Sequence, residues 1–249
     1  MPGMIERKIE DHPENIRNVL IEAKIDGGRH TWDGQRLLSE RDIDRSDRFP
    51  HIVAELKKMP WEVRGEVAIP MGNVLQLNKR ENWPKARFYA FDMFNWQGLD
   101  TRDSLPLENR QLIKDAFGQA PRFDHLRYPF AFKDFATGWA HVLKHKLEGL
   151  VLKQLDGRKT FKTKKLSEEK IPIVGFIPGA AKGAFIIERK GVSSKISGTS
   201  AYYVDKYNAM LAAGECPYAE VEYLFLTDNG KPFQPRLRAI DTLANLKKG

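Results

Sequence analysis

Short apolar runs alternate with stretches of helical spacing through the first two thirds of the chain, and a denser succession of β-rich runs follows. Residues 19–24 (VLIEAK) predict a strand that runs into the Gly27–Gly28 turn, and 35–39 predict another. Within 49–59, Phe49, Ile52, Val53 and Leu56 recur at helical spacing and define one buried helix face. Residues 61–69 (WEVRGEVAI) and 87–96 (RFYAFDMFNW) are rich in the branched and aromatic side chains that favour strands. Pro106 suits the first turn of a helix over 106–117, where its missing N–H costs nothing. A second helix over 133–146 leads at once into a strand at 148–153 (EGLVLK). Asp156–Gly157 then turns the chain back into 159–165 (KTFKTKK) as a hairpin.

The pattern changes after that hairpin. Residues 166–170 (LSEEK) are polar and predict a turn, and Pro172 restarts a β-rich series, IPIVGFI, GAFIIER and AEVEYLFL, with one helix near 200–213. Five or so short strands within about 80 residues predict a small barrel. The expected architecture is α+β, with a first domain over 1–168 and a β-barrel domain over 169–249.

Composition narrows the function classes. The chain has 249 residues, 41% hydrophobic and 30% charged, which can bury enough apolar surface to fold. Its one cysteine, Cys216, excludes an intrachain disulfide framework and any Cys-rich metal site. No apolar run approaches the ~20 residues that span a bilayer, so no membrane role is expected. The start, MPGMIERKIEDHPEN, lacks the hydrophobic core of a signal peptide, and an intracellular location is expected. The formal charge of +8 favours polyanionic partners.

Four segments carry chemistry. In Lys24-Ile25-Asp26-Gly27-Gly28-Arg29 a lysine closes a strand, a carboxylate lies two residues on, and glycines let the backbone approach a ligand. Arg29 adds a planar cation suited to phosphate. Taken alone, this is equally the turn of a hairpin with surface charges. Glu66 interrupts an apolar strand after Gly65, and Glu148 opens another that ends at Lys153; either acid alone is as readily a solvated position. Lys162 and Lys164 sit at i and i+2 and share a strand face, an arrangement that an anion between them would relieve. Other groups read as ordinary. His141 and His145 form a helix face rather than a zinc pair, and Trp83, Trp96 and Trp139 are packing residues.

In this order the segments resemble the covalent nucleotidyltransferase superfamily, which comprises ATP-dependent DNA ligases, RNA ligases and mRNA capping enzymes. K-I-D-G-G-R at 24–29 resembles its motif I, V-R-G-E-V at 63–67 motif III and F-Y-A-F-D at 88–92 motif IIIa. E-G-L-V-L-K at 148–153 resembles motif IV and F-K-T-K at 161–164 motif V. S-E-R at 39–41 is similar to the Ser/Thr–Arg element that follows motif I, split here by Glu40. VGFIPG at 174–179 and the stretch 219–241 resemble the opening and close of a ligase OB-fold. The Arg-x-Asp-Lys of motif VI is replaced by the longer Arg238-Ala239-Ile240-Asp241-Thr242.

The resemblance implies a minimal two-domain ATP-dependent DNA ligase, an adenylation domain followed by an OB-fold, acting as a monomer on nicked duplex DNA. It implies that Lys24 takes AMP from ATP, that Lys162 and Lys164 neutralise phosphate charge, and that Glu66 and Glu148 hold Mg2+, with Mn2+ able to substitute. Phe91 would stack on adenine, Glu22 would read its amino group, and Arg29 would hold the ribose–phosphate side. Arg236 and Arg238 are the candidates for orienting pyrophosphate. Ser39, Arg41, Lys182, Arg189, Lys190 and Lys195 are the candidates for DNA contact. An RNA ligase or capping-type enzyme is the alternative within the superfamily. A nucleic-acid-binding module without activity is the alternative outside it, against which the intact Lys24, Glu66, Glu148, Lys162 and Lys164 argue.

Overall fold

Residues 19–24 form a strand with both faces covered. Leu20, Ile21, Glu22 and Ala23 are all buried, which is why the run lacks the alternation of a half-exposed strand. In the computed structural model, which describes residues 16–119, 122–157, 159–179, 183–197 and 199–247 and the backbone of 5–8, the chain divides into two compact units, Met1–Lys164 and Lys165–Gly249.

The first unit contains the strands β1 (Ile5–Lys8), β2 (Val19–Lys24), β3 (Gly28–Trp32), β4 (Leu37–Ser39), β5 (Trp61–Ala68), β6 (Arg87–Trp96), β7 (Leu99–Asp100), β8 (Leu126–Arg127), β9 (Ala131–Phe132), β10 (Gly149–Gln154) and β11 (Lys159–Lys164). Its helices are α1 (Pro50–Leu56), α2 (Val74–Leu77), α3 (Pro106–Gln119) and α4 (Phe135–His145). One sheet runs β1-β11-β10-β2-β9. The other runs β4-β3-β5-β6-β7, with β8 also on β6. Pairing is antiparallel except at β1–β11 and β6–β8.

Each sheet has its own core. Phe49, Ile52, Val53 and Leu56 are all buried, as their helical spacing requires, and pack with Trp32, Phe88 and Trp96 under the second sheet, with Trp83 partly covered beside them. Val142 of α4 packs with Ile21, Leu150 and Leu152 of the first sheet, and Trp139 lies against that cluster. The expected strand at 35–39 starts only at Leu37, because the Asp33 carboxylate accepts the backbone N–H groups of Gln35 and Arg36 and keeps them in a turn.

The second unit contains β12 (Ser167–Ile177), β13 (Ala184–Arg189), β14 (Val192–Ser197), α5 (Ala201–Ala212), β15 (Tyr218–Tyr223), β16 (Arg236–Asp241) and α6 (Leu243–Leu246). The sheet order is β14-β13-β12-β15-β16, antiparallel throughout. Phe185, Ile187, Val221 and Ile240 are its core, with Tyr207 and Met210 of α5 packed against them. Residues 167–170, expected as a turn, are the opening of β12. Their polar side chains are matched across the sheet: Glu169 pairs with Arg189 at 2.7 Å and accepts from the Tyr223 hydroxyl at 3.0 Å, and Lys170 lies 3.7 Å from Glu220. Among the described residues no helix is long and apolar enough to cross a membrane.

Candidate active site

A cavity of about 360 Å³ in the first unit draws its walls from both sheets. From the first sheet come Glu22 and Lys24 of β2, Val151 and Lys153 of β10, and Thr160 and Lys162 of β11. The second contributes Arg29 of β3, Arg64 and Glu66 of β5, and Phe91 and Asp92 of β6. Gly27 and Gly28 bring the backbone to the rim. A Cβ on Gly27 would stand 2.2 Å from the Val67 carbonyl oxygen, so only glycine fits between the strands there.

Strand register assembles the charged centre. Gly149 faces Lys24 across β2 and Lys164 across β11. The preceding Glu148 therefore meets both lysines: Lys24 Nζ lies 2.5 Å from its Oε2 and Lys164 Nζ 2.9 Å from its Oε1. The Glu148 side chain is only 6% exposed, so a buried carboxylate is balanced by two cations. The lysine that closes a strand and the acid that opens another thus sit side by side, although 124 residues separate them.

Two further acids feel this centre. Burial pushes the Glu66 carboxyl up to about 7, against the pull of Lys24 and Arg29 and with Glu148 adding repulsion. Asp26 is raised to about 6, chiefly by burial and then by Glu148, although it accepts the Val74 N–H. Glu66 and Glu148 are hard oxygen donors. Among the described residues no group of three or more His, Cys, Asp or Glu side chains could hold a metal ion.

The other end of the cavity is built around Glu22. Arg110 Nη1 donates to its Oε1, and Lys153 Nζ lies 2.8 Å from its Oε2. Lys153 also donates to the Phe91 carbonyl oxygen at 2.8 Å, so one ammonium ties the strand of Glu22 to the strand of Phe91. The β5–β6 register slips at this point: Gly65 faces Ala90 while Arg64 faces Asp92, and Phe91 is the extra residue of a β-bulge. The bulge lets the consecutive side chains Phe91 and Asp92 line the same cavity, which a regular strand would send to opposite faces. Burial raises the Asp92 carboxyl, against Lys153 and Arg64.

Of the remaining expected site residues among those described, only Arg29 is at the cavity. Arg29 lines the cavity with its Nη1 3.3 Å from Glu40 Oε1, so the residue that splits S-E-R is itself part of the wall. Ser39 closes β4 and Arg41 belongs to the turn that follows, where Ser39 Oγ accepts the Ile43 N–H. In the second unit Arg189 is engaged by Glu169, Lys190 forms the left-handed β13–β14 turn with Gly191, and Lys195 is exposed on β14. Arg236 and Arg238 are on β16, where the register shift against β15 makes Arg238 the bulged residue, with its Nε 3.1 Å from Glu222. Lys182 lies outside the described residues. Sequence reasoning missed Arg110, Arg64 and Glu40 as parts of the site. Arg64 stands inside V-R-G-E-V, where an arginine among apolar strand residues was a usable signal; Arg110 lies on a helix with none.

Three solved structures place this architecture. A Lig E DNA ligase superposes with a TM-score of 0.68 at 17% identity, covering 96% of this chain and 98% of that one. The ligase domain of LigD from M. tuberculosis gives 0.59 at 18%, covering 96% and 94%. This is the fold of DNA ligases. The Chlorella virus DNA ligase-adenylate shares it at 0.51 and 15% identity, over 96% of this chain and 97% of that one. No protein-family model matches the sequence, and no curated protein does.

Proposed function

We propose that the protein is an ATP-dependent DNA ligase that seals 5′-phosphate/3′-hydroxyl nicks in duplex DNA. In this reading 1–168 is the adenylation domain and 169–249 an OB-fold domain. The observation that carries it is the Lys24–Glu148–Lys164 cluster, whose Lys24 lines a cavity that also presents an aromatic ring, a buried carboxylate and an arginine. The fold it shares with DNA ligases supports the same reading.

The chain's own groups suit each step. A protonated amine has no lone pair, so Lys24 gives its proton to water before it attacks, and the Glu148 carboxylate, at hydrogen-bond distance, holds its Nζ in place. Lys24 Nζ then forms a bond to the α-phosphorus of ATP, and the bond to pyrophosphate breaks. Lys162 at the cavity wall and Lys164 beside Glu148 place positive charge where phosphate oxygens gain negative charge. Arg29 takes the ribose–phosphate side and Phe91 the face of adenine. Mg2+, or Mn2+ in its place, fits the two carboxylates Glu66 and Glu148, since such ions take one or two protein carboxylates together with substrate phosphates; when bound it supplies further neutralisation of phosphate charge. AMP passes to the 5′-phosphate of a nick, and attack by the 3′-hydroxyl releases it. Positioning and charge supply most of the rate. Arg236 and Arg238 are assigned to the pyrophosphate-releasing step. Ser39, Arg41, Lys182, Arg189, Lys190 and Lys195 are assigned to DNA.

Incubation with α-labelled ATP and Mg2+ tests the reading. A covalent band at 28.6 kDa is expected, with loss of label in both Lys24→Ala and Lys24→Arg, because arginine keeps the charge but does not deprotonate. Folded wild-type protein that takes no label with any divalent ion overturns it. A preference for GTP, or for RNA ends over nicked DNA, moves it to the capping or RNA-ligase class.

A further inference from the structure

Arg110 lies on α3, outside every segment that carries the resemblance, and it touches two residues of the cavity wall without lining the cavity itself. Its Nη1 donates to Glu22 Oε1 and, at 3.1 Å, to the Pro129 carbonyl oxygen; Glu22 and Pro129 both line the cavity. The Tyr128 ring covers the guanidinium at 5.4 Å. The helix itself is pinned. Asn109 is buried, accepts the Met93 N–H at 2.9 Å and donates to the Met93 carbonyl at 2.8 Å, so its neighbour arrives at a fixed place over β6.

This ion pair is made away from water, with side-chain exposures of 11% for Arg110 and 3% for Glu22. Lys153 engages the second carboxylate oxygen. With Arg110 on one oxygen and Lys153 on the other, the carboxylate is held at both ends, and its oxygens act as hydrogen-bond acceptors. Its remaining lone pairs then set what a base edge must offer.

We propose that Arg110 is a positioning residue for nucleobase selection. It fixes the plane of Glu22 so that this wall takes a purine with an amino group at its six-position and rejects one with an oxo group. The inference rests on the nucleotidyl-transfer reading above. Adenine presents an N–H donor to the fixed oxygen, whereas guanine presents a lone pair there and carries its donors further along the same edge. A carboxylate free to rotate could reach those donors, and discrimination would fall. Arginine suits the task because its rigid planar head, lying under the Tyr128 ring, brings Nη1 to the carboxylate and the Pro129 carbonyl together, whereas the ammonium of lysine turns freely on its stem.

The test compares self-nucleotidylation from ATP and from GTP, with Mg2+, in the wild type, Arg110→Ala and Arg110→Lys. Arg110→Ala is expected to raise the KM for ATP about tenfold with kcat within about threefold, and to lower the ATP/GTP ratio of kcat/KM by about tenfold. Arg110→Lys is expected to recover part of the ratio. Arg110→Gln, which fills the space and keeps a donor for Glu22, gives the same measurement should the alanine variant lose its folded circular-dichroism spectrum. A wild type that labels, with a variant whose KM and ATP/GTP ratio are unchanged and whose labelled fraction alone drops, overturns the positioning role and leaves the ligase reading standing. A wild type that takes no label from either nucleotide overturns both.

Discussion

Glu148 does two things at once. It keeps Lys24 and Lys164 from repelling each other, and in the ligase reading it also offers oxygen to a divalent cation. Removing it should therefore harm the chemistry more than the grip on DNA. Glu148→Ala is expected to lower adenylation at least ~100-fold, the scale seen when one charge-stabilising group is lost, while nick affinity stays within about threefold. Labelled ATP and a nick-binding titration separate the two, and full adenylation with lost DNA affinity would remove Glu148 from the chemical centre. Lys24 and Glu148 stood out in sequence because a charge closes or opens an apolar run, and Glu66 and Lys162 because charges interrupt a strand pattern; the fold brings Lys24, Glu66 and Lys162 to one cavity and Glu148 beside Lys24. Arg110 did not stand out, since 88 residues separate it from Glu22 and nothing near it marks an arginine that ends on a buried acid. Glu40 looked like an interruption of a pattern, and only the fold shows it beside Arg29.

At the scale of elements, the β2–β10–β11 register carries the site, and Gly149 carries the register. A Cβ there would lie 1.9 Å from the Thr163 carbonyl oxygen, which is main chain and cannot swing away. Gly149→Ala is expected to cost about 3 kcal/mol or more, the upper range for overpacking, read as a lower urea midpoint. Gly157, in the turn that joins the same two strands, has open space where its Cβ would be. Gly157→Ala should shift stability by less than about 0.5 kcal/mol. Equal losses in the two variants would mean that the removal of glycine's backbone freedom, rather than contact, governs both. Periodicity found most strands and helices because one face of each is buried. It did not find the bulge at Phe91, since an extra residue is defined by what lies opposite it on another strand. Residues 167–170 misled for the related reason that charges satisfied across a sheet look like solvated ones in sequence.

For the whole molecule, the excess of basic residues is modest, and affinity for a nick should come from phosphate contacts on a compact surface. Among the described residues the stretch from Ile171 onward is taken up by short strands, two helices and the turns between them. Log K is expected to fall by ~0.9 for each phosphate neutralised per unit of log salt. An affinity nearly flat from 50 to 200 mM salt, taken as a test range of about fourfold, would shift the source of binding to uncharged contacts. In the second unit one strand sets how the rest comes apart. Ser167–Pro172 of β12 holds β15, and through it β16; Ile173–Ile177 of the same strand holds β13, and through it β14. Neither hairpin has another sheet partner among the described residues, so neither can open without losing its seat on β12. Both hairpins also bury side chains in one core, Phe185 and Ile187 from one and Val221 and Ile240 from the other, so hydrogen exchange should find the slowest amides of β13 and β15, which never touch as strands, exchanging together and converging on the unfolding free energy of that unit as denaturant rises.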